Sequence, residues 1–134
     1  MGKPAISRFF ADTLRAPLAN VRWSWGSYSP QFDALFLRVW QSELSAEENA
    51  VLVFKDRAHD RRLGQSERNR HRQQMLNGQR AFGILCLAEN PRSEQRRIKN
   101  YDSETLVQLG TPFQTGAENW WYAPILRRID VSDR

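Results

Sequence analysis

ALFLRVW, residues 34–40, sets Leu35, Leu37 and Val39 on one side of an extended chain and Phe36, Arg38 and Trp40 on the other. Both sides are largely apolar, which is the pattern of an interior strand covered on two faces. AVLVFK (50–55) has the same character, and in RAFGILCLAEN (80–90) Phe82, Ile84 and Cys86 alternate against Gly83, Leu85 and Leu87 until Asn90-Pro91 closes the run. On the N-terminal side, Val21, Trp23 and Trp25 alternate with Arg22 and Ser24, which predicts a half-buried strand. GSYSPQFD (26–33) then supplies the turn of a hairpin.

IKNY (98–101) reads as a short strand and DSETLVQLG (102–110) as one helical turn or a loop. WWYAPILRRIDV (120–131) is mostly strand, with Pro124 pushing that part to an edge or a bulge. Residues 4–17 fit either a short helix or an edge strand. The total is an α+β, mainly β fold: a small twisted sheet curled into a barrel, with one or two short flanking helices. A chain of 134 residues is the size of a single domain, 1–134, and is long enough to bury a core.

Between Asp56 and Gly78 the hydrophobic rhythm stops. Ser66 can cap a helix, Asn77-Gly78 can stop one in a left-handed conformation, and the interval Glu67 to Leu76 favours helix by propensity. Such a helix is expected to bury little. Arg68 and Arg72, four apart with His71 beside them, would face water or a polyanion. Charge is concentrated in the same region: Lys55 to Lys99 holds twelve basic residues against five acidic ones, +7, and the rest of the chain holds eight against ten, −2. Ten of the twelve are arginine, which forks onto phosphate and stacks on bases.

Several classes of chemistry find no support in the sequence. The apolar runs are too short to cross a bilayer, the N-terminus MGKPAISRFF lacks a signal-peptide apolar block, and a cytoplasmic location without membrane contact is expected. Cys86 is the only cysteine, so it suits a small buried role in a reducing compartment. His59 and His71 stand twelve apart with no ligand spacing, and the dispersed glycines form no phosphate loop, so neither a metal nor any other cofactor is called for. Asp33, Glu43, Asp56 and Glu89 with Lys55 or Lys99 could be drawn into a metal-dependent nuclease, but their spacing does not constrain it.

Aromatic residues and arginine remain. Three of five tryptophans lie within residues 23–40, and Trp120-Trp121 must point to opposite faces of a strand. If the hairpin register permits, the Trp23/Trp25 face and the Trp40 face form one platform on which a base can stack. The candidate stacking residues are Trp23, Trp25, Trp40 and Trp120, and the candidate phosphate contacts are Arg61, Arg62, Arg68, Arg72, Arg96 and Arg97.

RWSWG (22–26), FLRVW (36–40), GQSERNRHRQQMLNGQRAFGILCLAEN (64–90) and RRIKNYD (96–102) together resemble the small bacterial PUA-like modules, the group of EVE, ASCH and SRA-type domains, over about residues 18 to 128. The resemblance implies a compact β-barrel flanked by helices that binds RNA or a modified DNA base in an aromatic-walled pocket. Trp23, Trp25 and Trp40 would match its walls, and Arg61, Arg62, Arg68 and Arg72 its backbone contacts. Some relatives are joined to HNH nucleases; this sequence has no HNH segment, so cleavage would come from a protein partner. The expectation is a non-enzymatic nucleic-acid-binding module, for DNA or RNA. Its rivals are a metal-dependent nuclease or RNA-cleaving toxin, and a protein-interaction subunit with an acidic partner.

Overall fold

The computed structural model describes residues 3–21, 23–56, 64–92, 97–115 and 119–134. Nine strands among them form a single mixed sheet: β1 (Gly26–Ser29), β2 (Ala34–Trp40), β3 (Leu44–Ser45), β4 (Ala50–Asp56), β5 (Ala81–Ala88), β6 (Ile98–Tyr101), β7 (Thr105–Leu109), β8 (Phe113–Thr115) and β9 (Asn119–Asp130). The order is β1-β2-β5-β7-β9-β4-β3, with β6 added to β5 and β8 to β9. β2 and β5 run parallel; the other pairs are antiparallel. A parallel pair needs a crossover, here made of β3, β4 and the helix α2 (Gln65–Leu76). The sheet ends on β1 at one side and β3 at the other, so it is not closed.

β2 is covered on both faces, as its composition requires. On one face Phe36 stacks on its register partner Phe82 at 5.6 Å, and Ile84, Cys86 and Leu106 extend the layer. The N-terminal segment seals that layer: α1 (Ile6–Arg8) runs on as a π-helical turn, Phe9–Thr13, and buries Phe9, Phe10 and Leu14. On the other face Leu35, Leu37 and Val39 share a core with Val51 and Phe54 of β4, Val107 and Leu109 of β7, and Met75 of α2. β4 lies four places from β2 in the sheet order, so the shared core records how strongly the sheet curls. Burying each of these large side chains contributes roughly 1.5–3 kcal/mol.

Three segments differ from their sequence reading. Val21 and residues 23–25 are not in a strand: Ser24 N–H donates to the Asn20 carbonyl at 2.9 Å, and the hairpin starts at Gly26 inside the stretch read as its loop. DSETLVQLG is neither helix nor loop. Asp102 accepts from the backbone N–H of Glu104 and Thr105 at 2.9 and 3.0 Å, an arrangement that resembles a helix cap but launches β7. Pro124 lies in β9, an interior strand of the sheet order, as the last pair of the β4 ladder opposite Ala50; just beyond it Ile125 N–H donates to the Asn49 carbonyl and the register with β7 shifts between Ile125 and Arg127. Of the edge and bulge alternatives, the irregularity is the one realised.

Gly83 is where β5 packs most tightly. A Cβ on it would stand 2.9 Å from Val107 Cγ2 and 3.0 Å from Val39 Cγ2, and both neighbours are stiff β-branched side chains. Gly83→Ala is therefore expected to destabilise the fold by about 1–3 kcal/mol in urea unfolding. An unchanged midpoint would show that the inner core has slack at this point.

Candidate nucleic-acid interface

The hairpin register brings two of the tryptophans together. Arg38 N–H donates to the Trp25 carbonyl at 2.7 Å, which sets Trp25 opposite Arg38 one residue before β1. The Arg38 guanidinium lies 4.6 Å over the Trp25 ring, and Trp40, two residues along the same face, meets that ring edge-on at 5.7 Å. Both indoles are half-buried. A cation on an indole contributes about 0.5–2 kcal/mol, and the edge-to-face pair adds a similar amount.

Arg38 is itself largely enclosed. Its Nη2 donates to the Ser24 carbonyl, its Nε is buried without a hydrogen-bond partner, and burial lowers its pKa from the ordinary arginine value. Trp40 stands beside Cys86 in the register. Burial pushes the Cys86 thiol up to about 12, so at neutral pH it is protonated and not a nucleophile.

α2 enters this site at its N-terminal end. Gly64 precedes the helix in a left-handed conformation, φ 89°, and a Cβ there would fall 2.9 Å from the Trp23 ring, so Trp23 packs on the helix start. Glu67, the third helical residue, is 5% exposed. Its Oε2 accepts from Ser24 Oγ at 2.9 Å, and its Oε1 is buried with no hydrogen-bond partner. One turn on, His71 is 4% exposed with Nδ1 unpartnered; burial, and next the charge of Arg70, push it down to about 4. Arg68 is buried and donates to Gln65 Oε1 at 2.8 Å, and Arg72 lies 5.2 Å over the Trp121 ring.

The helix therefore does not face water along the Arg68–Arg72 line. It buries Glu67, Arg68, His71 and Met75. A polar helix can dock in this way because its side chains find partners or aromatic faces in the body it meets, rather than by burying an apolar stripe.

Of the predicted stacking residues, the structure groups Trp23, Trp25 and Trp40 around Ser24, with Arg38 and Glu67. Trp120 lies elsewhere: it pairs across β4–β9 with Lys55, whose Nζ is 4.4 Å over its ring. Its neighbour Trp121 faces the inner core and meets α2. Arg61, Arg62 and Arg96 lie outside the described residues. Arg97 is exposed on the β5–β6 connection, where its carbonyl accepts from Glu89 N–H. Ser24, Arg38, Glu67 and Trp121 were not among the predicted residues. Only Arg38 carried a signal, an arginine between Phe36 and Trp40 on an otherwise apolar strand face.

No protein-family model, curated protein or solved structure matches the chain.

Two surface depressions lie away from the tryptophans. One, about 520 Å³, is lined by Asp33, Gln74 and residues 77–80; the other, about 450 Å³, includes Lys3, Leu87, Tyr101 and Arg128. Among the described residues, no three of His, Cys, Asp and Glu stand close enough to hold a metal ion, and no helix is long and apolar enough to cross a membrane. Asp33 and Glu43, two of the carboxylates considered for a nuclease, sit respectively in the β1–β2 turn and in the short turn after β2.

His71 makes the α2 contact sensitive to pH. Its folded pKa of about 4 lies below the ordinary 6.5, so between these values the unfolded chain binds a proton that the folded one does not. Stability then falls as pH drops through this window, by up to about 3 kcal/mol from this residue. His71→Gln should show a flatter decline between pH 6.5 and 4 in denaturant titrations; the same slope as the parent would contradict the assignment.

Proposed function

We propose that this domain binds single-stranded or flipped-out nucleic acid, stacking a base at Trp25–Trp40 while arginines of the middle segment hold the backbone. The observation that carries the reading is the partly exposed Trp25–Trp40 pair with a guanidinium on one ring, set where the sheet meets the helix of the most basic segment. Stacking on an indole accepts any base, and an arginine at the ring adds attraction for phosphate or for the base itself. Arg70, exposed on α2 beside this region, is a further phosphate contact.

The sequence pattern shared with PUA-like modules supports the same reading. Under that resemblance the curled sheet corresponds to the group's barrel, the stacked base is a modified or flipped one, and any strand cleavage belongs to a protein partner. An acidic protein partner would use the same basic segment, and the two ligands differ in what they do to the indoles. Stacked bases quench tryptophan emission, whereas an acidic peptide meeting the arginines does not stack.

Single-stranded oligonucleotides are expected to quench the fluorescence, with affinity falling as salt rises. Trp25→Ala and Trp40→Ala should each weaken binding by about 1–3 kcal/mol and leave the salt dependence unaltered. Undiminished affinity in both variants would overturn the proposal.

A further inference from the structure

We propose that Glu67 and Arg38 together read the edge of the base stacked at Trp25–Trp40, Glu67 as hydrogen-bond acceptor and Arg38 as donor. This rests on the nucleic-acid reading above and adds the chemistry that the site selects: a nucleobase edge presenting an N–H beside an acceptor atom, as opposed to phosphate or sugar.

The two residues converge on Ser24, which lies between Trp23 and Trp25. Glu67 Oε2 is held by Ser24 Oγ, and Arg38 Nη2 by the Ser24 carbonyl. Each residue keeps one polar atom buried and unpartnered, Oε1 on the carboxylate and Nε on the guanidinium. A buried acceptor and a buried donor left open in one cluster are unusual in a folded domain, because each forfeits the hydrogen bond it had in water. A base edge supplies both missing partners at once, and carboxylate with guanidinium is a pairing proteins use to read bases. The helix alone does not require Glu67 to be buried. An acidic residue at the third helical position serves the helix dipole equally well from the surface.

Access is local. Ser24 belongs to an irregular turn rather than to a ladder, and its bonds to the body of the domain are the two side-chain contacts just described. The proposal requires Ser24 to give way as the base enters, a movement that breaks no strand pair.

The test compares parent and Glu67→Gln for binding to oligo-dA, oligo-dC, oligo-dT and an abasic oligonucleotide of equal length, followed by tryptophan quenching, with circular dichroism to confirm folding. The parent should rank the three homopolymers, and Glu67→Gln, which replaces a pure acceptor by an amide that also donates, should change their relative affinities on the order of 10-fold while leaving abasic binding unaltered. An unchanged ranking in a folded Glu67→Gln, or no ranking in the parent, overturns base reading by this pair while stacking stands. No binding of any homopolymer by the parent overturns the nucleic-acid reading beneath it. If Glu67→Gln does not fold, Ser24→Ala removes the donor that orients the carboxylate and should blur the same ranking; a retained ranking would again refute the role of Glu67.

Discussion

Ser24 is bonded from two directions, by the guanidinium of Arg38 on strand β2 and by the carboxylate of Glu67 on helix α2. The turn that carries the hairpin tryptophans is thereby tied to both the sheet and the helix. These bonds add to the contacts within the turn, Asn20 N–H to Ser24 Oγ and Ser24 N–H to Asn20 O, to the ladder and ring contacts of Trp25, and to the packing of Trp23 on Gly64. Hydrogen bonds to charged groups contribute about 1.5–3 kcal/mol each, enough to hold a short turn in one arrangement. The arrangement leaves Trp23, Trp25 and Trp40 partly exposed, Trp40 with one side packed against the Phe36–Phe82 core, and the proposed chemistry of the site follows from that.

The location of the knot depends on β2. Because both faces of this strand are needed for cores, Phe36 on one and Leu35, Leu37 and Val39 on the other, its C-terminal end is where the apolar layers give out. Arg38 and Trp40 occupy the Phe36 face at that end, next to buried Cys86. A guanidinium tolerates such a position because the Trp25 ring covers one side of it and the Ser24 carbonyl accepts from it. On α2, Glu67 and His71 each keep one buried polar atom without a hydrogen-bond partner. Arg38, Glu67 and His71 thus each retain hydrogen-bonding capacity in the candidate site.

Much of the scaffold was legible in the sequence where local pattern and tertiary environment agree. The two-sided apolar character of residues 34–40 and 81–88 placed the interior strands, Asn77-Gly78 marked the helix end, realised with Gly78 at φ 93°, and Pro124 marked an irregularity. Reading failed where a local signal had two physical outcomes. Asp102 followed by Glu104 and Thr105 looks like a helix start, yet the same side-chain bonds open a strand when Leu106 and Val107 can be buried on its two faces. Alternation through Val21, Trp23 and Trp25 resembled a strand but leads into a turn, because the ladder with β2 begins at Gly26. The burial of α2 was hidden for a different reason. Glu67 meets a serine 43 residues away, and no local pattern encodes that contact. The pairing of Trp25 with Trp40 follows from hairpin register, whereas the separation of Trp120 from them depends on where β9 lies in the sheet order.

The most direct test of the account is an NMR titration of the five indole N–H signals with a single-stranded oligonucleotide. The arrangement around Ser24 predicts that the Trp23, Trp25 and Trp40 resonances shift together as the ligand is added, while that of Trp120, on the far side of the β4–β9 pair under Lys55, stays in place. Shifts confined to Trp120, or none at any indole despite binding, would contradict it.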